Sequence, residues 1–243
     1  TDDDNIPKKN FFQNFNQNQI CLNLKNKKWV NIYNYFLKKS KNIWPRGFPL
    51  DEIDNKSKFK GIKKITNVPI QQYLTEIDPD VDAIYRLTLK NQSLNFSKKI
   101  PLALSKGTFC SFNSQNTRWF DKAFPLLYLP SHCPFRTSDI IRGFVALRIL
   151  HLNNLSLGYF SSSNFQIRNH HNLIDDFKDE IMLYTDTKNI VKSLYNTRLP
   201  IGYNNMLECL YLLYEKLVKL NYIPKEELKL INYWISDYKK ITN

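Results

Sequence analysis

The chain has 243 residues, 42% of them hydrophobic, with 16 Phe, 14 Tyr and 4 Trp, enough apolar mass for one sizeable core, which excludes a disordered chain. Its formal charge of +13 is spread through short pieces such as KNKK, KSKFKGIKK and DYKK in a sequence rich in Lys, Asn and Ile. The charge therefore reads as composition, and nucleic acid is not the expected partner. Cys21, Cys110, Cys133 and Cys209 show no C-x-x-C spacing, which excludes a zinc knuckle or redox pair, and no run of about 18 apolar residues exists to span a bilayer. Scattered cysteines fit a reducing compartment and favour the cytoplasm, with the Golgi as the alternative if an anchor precedes this stretch.

The chain opens on TDDDNIP. Adjacent carboxylates repel one another unless a cation sits among them. At the exit of a strand, alternation would point Asp2 and Asp4 one way and Asp3 the other, a D-x-D arrangement suited to a hard divalent ion. A solvated polar tail is the plainer alternative. Next, KKWVNIYNYFLKK places Trp29, Ile32, Tyr33 and Phe36 on one helix-like face. In IWPRGFPLDEI, Pro45 and Pro49 bracket Arg46-Gly47-Phe48, a stiff loop whose arginine suits a bidentate phosphate contact; an ordinary surface turn is the alternative. DPDVDAIYRLT sets Asp78, Asp80 and Asp82 ahead of a predicted strand, VDAIYRLTL, and TFCSF and PLLYLP read as two further short strands.

FNSQNTRWF gathers Asn113, Gln115 and Asn116, amides able to hydrogen-bond sugar hydroxyls or simply to build a polar turn. In SHCPFRTSDIIRGF, Thr137 or Ser138 can cap an amphipathic helix, which would put Asp139 in its first turn, where the helix dipole favours the ionised form. FQIRNHHNLIDDFKDE crowds Arg168, His170, His171 and four acids into a strand-to-helix junction. Two helical stretches follow. One carries Met206, Leu207, Leu210, Leu213, Leu217 and Leu220 behind an Asn cap; the other carries Leu228, Ile231, Ile235 and Tyr238 with Pro224 in its first turn. Strands alternating with helices predict an α/β sheet over residues 1–169, with 170–243 as a helical annex. There is no G-x-G-x-x-G and no P-loop.

Six of these stretches, TDDDNIP, WPRGFPL, DPDVDAIYRLT, FNSQNTRWF, LLYLPSHCPFRTSDIIRG and RNHHNLIDDFKDE, occur in an order that resembles the STELLO-type family of glycosyltransferases. The resemblance covers about residues 1–185 and leaves the helical tail unmatched. That family looks related to the reversibly glycosylated polypeptides, UDP-arabinopyranose mutases with a similar Arg-Gly-aromatic-Pro segment. The resemblance implies a GT-A-like, Rossmann-type mixed sheet that binds a nucleoside-diphosphate sugar, a UDP-sugar first among them, through Mn²⁺ or Mg²⁺ at the D-x-D. It further implies an upstream half that grips the nucleoside. On that reading Asp2, Asp4 and His171 hold the metal, Arg46 meets the phosphates, Asn113, Gln115, Asn116 and Arg168 bind substrate, and Asp139 is the base that deprotonates a glycan or other hydroxyl acceptor. A non-catalytic basic scaffold assisting other glycosyltransferases or binding a polyanion, and a sugar-nucleotide mutase, are the competing readings.

Overall fold

The computed structural model describes residues 4–13, 15–25, 28–37, 42–54, 59–89 and 94–242. In chain order its elements are β1 (Asn5–Pro7), β2 (Asn18–Leu24), α1 (Ile32–Phe36), β3 (Gly61–Asn67), β4 (Ile70–Glu76), α2 (Ala83–Thr88), β5 (Leu102–Leu104), β6 (Thr117–Trp119), α3 (Phe135–Leu152), β7 (Leu157–Gln166), α4 (Leu173–Asn196), α5 (Met206–Lys219) and α6 (Glu227–Thr242). The strands form one sheet in the order β3-β2-β5-β7-β4-β6, with β1 paired to β7. The β2–β5 and β4–β7 pairs are parallel and the others antiparallel. The chain is thus α/β with a mixed sheet, consistent with a GT-A-like, Rossmann-type arrangement.

Alternation along the central strands separates two apolar layers. Leu102, Leu104 and Tyr159 face the large core shared with α3, α4 and α5, whereas Ala103 and Phe160 join Cys21 and Val68 in a small cluster on the other side. Each fully buried Leu, Ile or Phe in the large core contributes about 1.5–3 kcal/mol. That core also takes in Ile231 of α6.

Helix α3 differs from the amphipathic helix expected. Every residue from Arg136 to Leu147 is buried, so it runs through the interior rather than along the surface. Gly143 makes this passage fit, because a Cβ there would lie 2.8 Å from the Phe112 carbonyl oxygen. The predicted strand VDAIYRLTL is instead α2, because the Asp82 side chain caps it by accepting from the Tyr85 N–H at 2.8 Å. TFCSF is not a strand: among the described residues it contributes a single bridge, between Phe109 and Trp29. PLLYLP begins inside a 3₁₀ turn, Asp121–Leu127, and leaves it as coil. The two tail helices form where the spacing put them, although α6 starts three residues after Pro224.

Candidate active site

Arg46 stands in a turn that depends on Gly47. Gly47 has φ of +78°, and a Cβ there would meet Ile140 of α3 at 2.5 Å. A left-handed glycine therefore lets the loop lie directly on the helix. Once there, Arg46 is only 5% exposed. Its Nε and one terminal nitrogen grip Asp80 at 3.0 and 2.7 Å, and its two terminal nitrogens reach the two oxygens of Asp139 at 3.0 and 3.1 Å. The remaining N–H donates to the Arg136 carbonyl, so all five guanidinium donors are met by this chain. Burial alone would weaken the charge, but Asp139 and Asp80 outweigh it and hold Arg46 well above its ordinary range. Burial likewise opposes ionisation of Asp80, yet Arg46 and then Arg136 keep its carboxyl below the usual carboxylate range.

Asp139 belongs to the second turn of α3 rather than the first. The helix begins at Phe135 behind Pro134, with no side-chain cap and no acid in its opening turn. The expected helix-dipole effect therefore gives way to a direct guanidinium contact. The neighbouring arginines of α3 bind other groups: Arg136 pairs with Glu180 at 2.6 Å, and Arg142 donates to Ser114 Oγ at 2.8 Å. Asp139 Oδ2 also accepts from the Ser114 N–H at 3.0 Å, while Oδ1 accepts one bond and keeps a second lone pair.

A cavity of about 410 Å³ opens beside this network. Six of the sequence-derived site residues line it together: Asp4, Arg46, Gln115, Asp139, Arg168 and His171. Asn113 and Asn116 lie behind that wall. Asn113 Nδ2 donates to Asp80 at 2.8 Å, and Asn116 Nδ2 donates to Asn164 Oδ1 at 2.8 Å. Gln115 does both jobs, lining the cavity while its Oε1 accepts from the Asp80 N–H at 3.0 Å. Asp80, Arg136, Gln166 and Phe135 also line the space, and none of them was given a site role from the sequence. For Asp80 the signal lay in DPDVD, masked by its likeness to a pre-strand loop.

Across the cavity, the junction between β7 and α4 is less fully paired. Arg168 donates to Asp176 at 3.2 Å, while its buried Nε has no partner among the described residues. Burial is the main cause that lowers its guanidinium from the ordinary value, and Arg86 and Arg136 add like-charge repulsion. His171 turns Nδ1 toward Asp176 at 3.5 Å. Asp4 lies directly ahead of β1, where its Oδ1 accepts from Gln166 Nε2 at 2.6 Å. Asp2 and Asp3 lie outside the described residues. Among the described residues no three His, Cys, Asp or Glu side chains converge as a metal site. Asp4 and His171 do share the cavity, and a carboxylate with an imidazole is a donor set that a divalent first-row ion accepts. No helix among the described residues is long and apolar enough to cross a membrane.

Residues 136–243 match the family model of STELLO glycosyltransferases. Two Arabidopsis thaliana proteins, "Probable glycosyltransferase STELLO2" and "Probable glycosyltransferase STELLO1", are 35% and 33% identical over 136 residues. Over this stretch the chain resembles the STELLO glycosyltransferases. The alignments take in 51% of this chain and 17% of either relative's length. The STELLO-type match runs through α4, α5 and α6, so the expectation that the helical tail has no counterpart in the family is corrected. It also takes in Asp139, Arg168 and His171, whereas Asp4, Arg46 and Asp80 precede the matched residues.

Proposed function

We propose that the cavity is the reaction site of a metal-dependent glycosyltransferase that moves a sugar from a nucleoside diphosphate to an acceptor hydroxyl. One observation carries the reading. Asp4, Arg46, Gln115, Asp139, Arg168 and His171 come from five separate stretches of the sequence, and they meet around a single cavity that the STELLO-like region helps to line.

Each residue has a task on this reading. Asp139 receives the acceptor proton on Oδ1, and Arg46 fixes the direction of that carboxylate. Arg46 thus acts through Asp139 and Asp80 rather than on the phosphates, because its donors are already met. Arg168 has an unmet donor and faces the anionic leaving group. Asp4 and His171, with Asp2, are the residues that would hold Mn²⁺ or Mg²⁺, which when bound would neutralise the diphosphate. The UDP-sugar class is the first donor to try.

The test is transfer and hydrolysis of a panel of nucleotide sugars with and without Mn²⁺. Asp139→Asn should lower transfer by about 10²-fold or more. Donor affinity and cooperative unfolding should survive, since Ser114 and one Arg46 bond remain available. Wild-type transfer by this variant, or a loss that merely follows its unfolded fraction, removes Asp139 as the base.

A further inference from the structure

One part of the cavity wall is unlike the rest. Leu129 and Phe135 line it and are 44% and 84% exposed, apolar surface set against a wall of carboxylates, guanidiniums and amides. Single exposed hydrophobics are ordinary on a protein surface. Two that line one cavity, on a segment held from beneath, are a different matter.

That segment is held by the tail. Glu227, the first residue of α6, is fully buried, and its carboxylate accepts from the Ser131 N–H at 3.0 Å, the His132 N–H at 2.8 Å and the Tyr128 hydroxyl. His132 Nδ1 lies 2.7 Å from the same group. A buried carboxylate is stable only when its lone pairs are met, so this grip fixes the course of the chain from Tyr128 to His132. Trp234 of α6 adds an indole N–H to the Pro125 carbonyl at 3.1 Å. Pro134 then turns the chain into α3 and leaves Phe135 at the cavity.

Resting on the transferase reading above, we infer that Leu129 and Phe135 form the acceptor subsite and take a pyranose ring by its apolar face, with Glu227 as the residue that positions them. A pyranose has one face of C–H groups and a rim of hydroxyls. It can lie on an aromatic ring while its rim reaches Asp139, Ser138 and Gln115, which line the same space. The cavity volume is of the size that holds a small ligand.

Binding is measured without any donor, by saturation-transfer NMR with the methyl β-glycosides of glucose, galactose and mannose. Saturation should appear on the ring C–H protons of one sugar face. Phe135→Ala should weaken the best glycoside about threefold to tenfold without moving the melting temperature, and Phe135→Trp should restore or exceed wild-type affinity. Glu227→Gln should weaken the same glycoside and leave Mn²⁺ affinity unchanged. Unchanged binding in Phe135→Ala overturns the inference. So does saturable binding of uridine, but of none of the glycosides, or the absence of saturable binding altogether. Because no donor is present, a protein that binds glycosides at Phe135 but transfers nothing would sink the transferase reading and leave this subsite standing.

Discussion

Two arginines line the same cavity in opposite conditions. Arg46, from the Pro-bracketed loop, has every donor matched and two carboxylates against it. Arg168, from the junction of β7 and α4, has one weakly paired nitrogen, an orphaned Nε and two like charges nearby. In the sequence Arg46 reads as a cation suited to a phosphate, and Arg168 as a substrate-binding residue at a strand-to-helix junction. The difference teaches that a buried arginine's donors decide its role: a saturated guanidinium holds the wall together, and an unsaturated one is left to meet a ligand.

The largest effect expected from this contrast is on stability. Arg46→Met would leave Asp80 and Asp139 buried without their cation, and breaking a buried pair in this way costs about 3–5 kcal/mol. Denaturant unfolding measures it. A loss below about 1 kcal/mol would mean that the two arginines do not differ as described. Arg46→Lys should recover part of the loss, because three donors cannot replace five in a fork.

A second test sets Asp80 against Asp82, two acids of one stretch. Asp80 has its guanidinium; Asp82 has the Tyr85 N–H and the Trp44 indole but, among the described residues, no cation against it, and burial pushes its carboxyl up to about 7. The unfolded group titrates at about 3.9. Between about pH 4 and pH 7 the folded state therefore binds more protons than the unfolded one. The stabilising share of Asp82 is complete below about pH 4 and lost as pH rises through about 7. Asp82→Asn carries no such titration. Whatever constant offset the amide introduces, the stability of the variant relative to wild type should move in the variant's favour by about 1–3 kcal/mol across that window. A flat difference from pH 4 to pH 8 would place the Asp82 carboxyl in the ordinary range.

How much of this was legible in the sequence depends on whether the deciding physics is local. The tail helices were, because their apolar periodicity is strong: α5 buries Met206, Leu210, Leu213 and Leu217, and α6 buries Ile231 with Leu228, Ile235 and Tyr238 half-buried. The gathering of Asp4, Arg46, Gln115, Asp139, Arg168 and His171 was legible as residue types at turns and junctions, although not which of them pair. Of the central strand β7 only the end was legible, as the strand side of the junction at FQIRNHH. LGYFSSSNFQ is buried on both faces, so it has no alternation, and its serines read as loop. VDAIYRLTL failed for the opposite reason: its β-branched and aromatic residues suit a strand, but one capping carboxylate decides for a helix. For α3, Pro134 rather than Thr137 or Ser138 starts the helix, and that displaced Asp139 by a turn.

The smallest expected effect on stability belongs to Arg168, and there the smallness is the point. Removing it deletes one bond to Asp176 and relieves repulsion from Arg86 and Arg136. It also deletes an Nε that has no partner. These changes oppose one another, so Arg168→Met should shift unfolding by no more than about 0.5–1 kcal/mol. Ligand affinity should respond differently. If Arg168 meets the diphosphate, losing a charge-assisted contact of about 1.5–3 kcal/mol should weaken UDP-glucose by about tenfold or more in calorimetry with Mn²⁺. Arg168→Lys keeps the charge without the planar fork and should fall between. A variant as unstable as Arg46→Met would make Arg168 a second scaffold arginine and collapse the contrast. An intact fold with unaltered UDP-glucose affinity would keep the contrast and move the diphosphate to another part of the cavity.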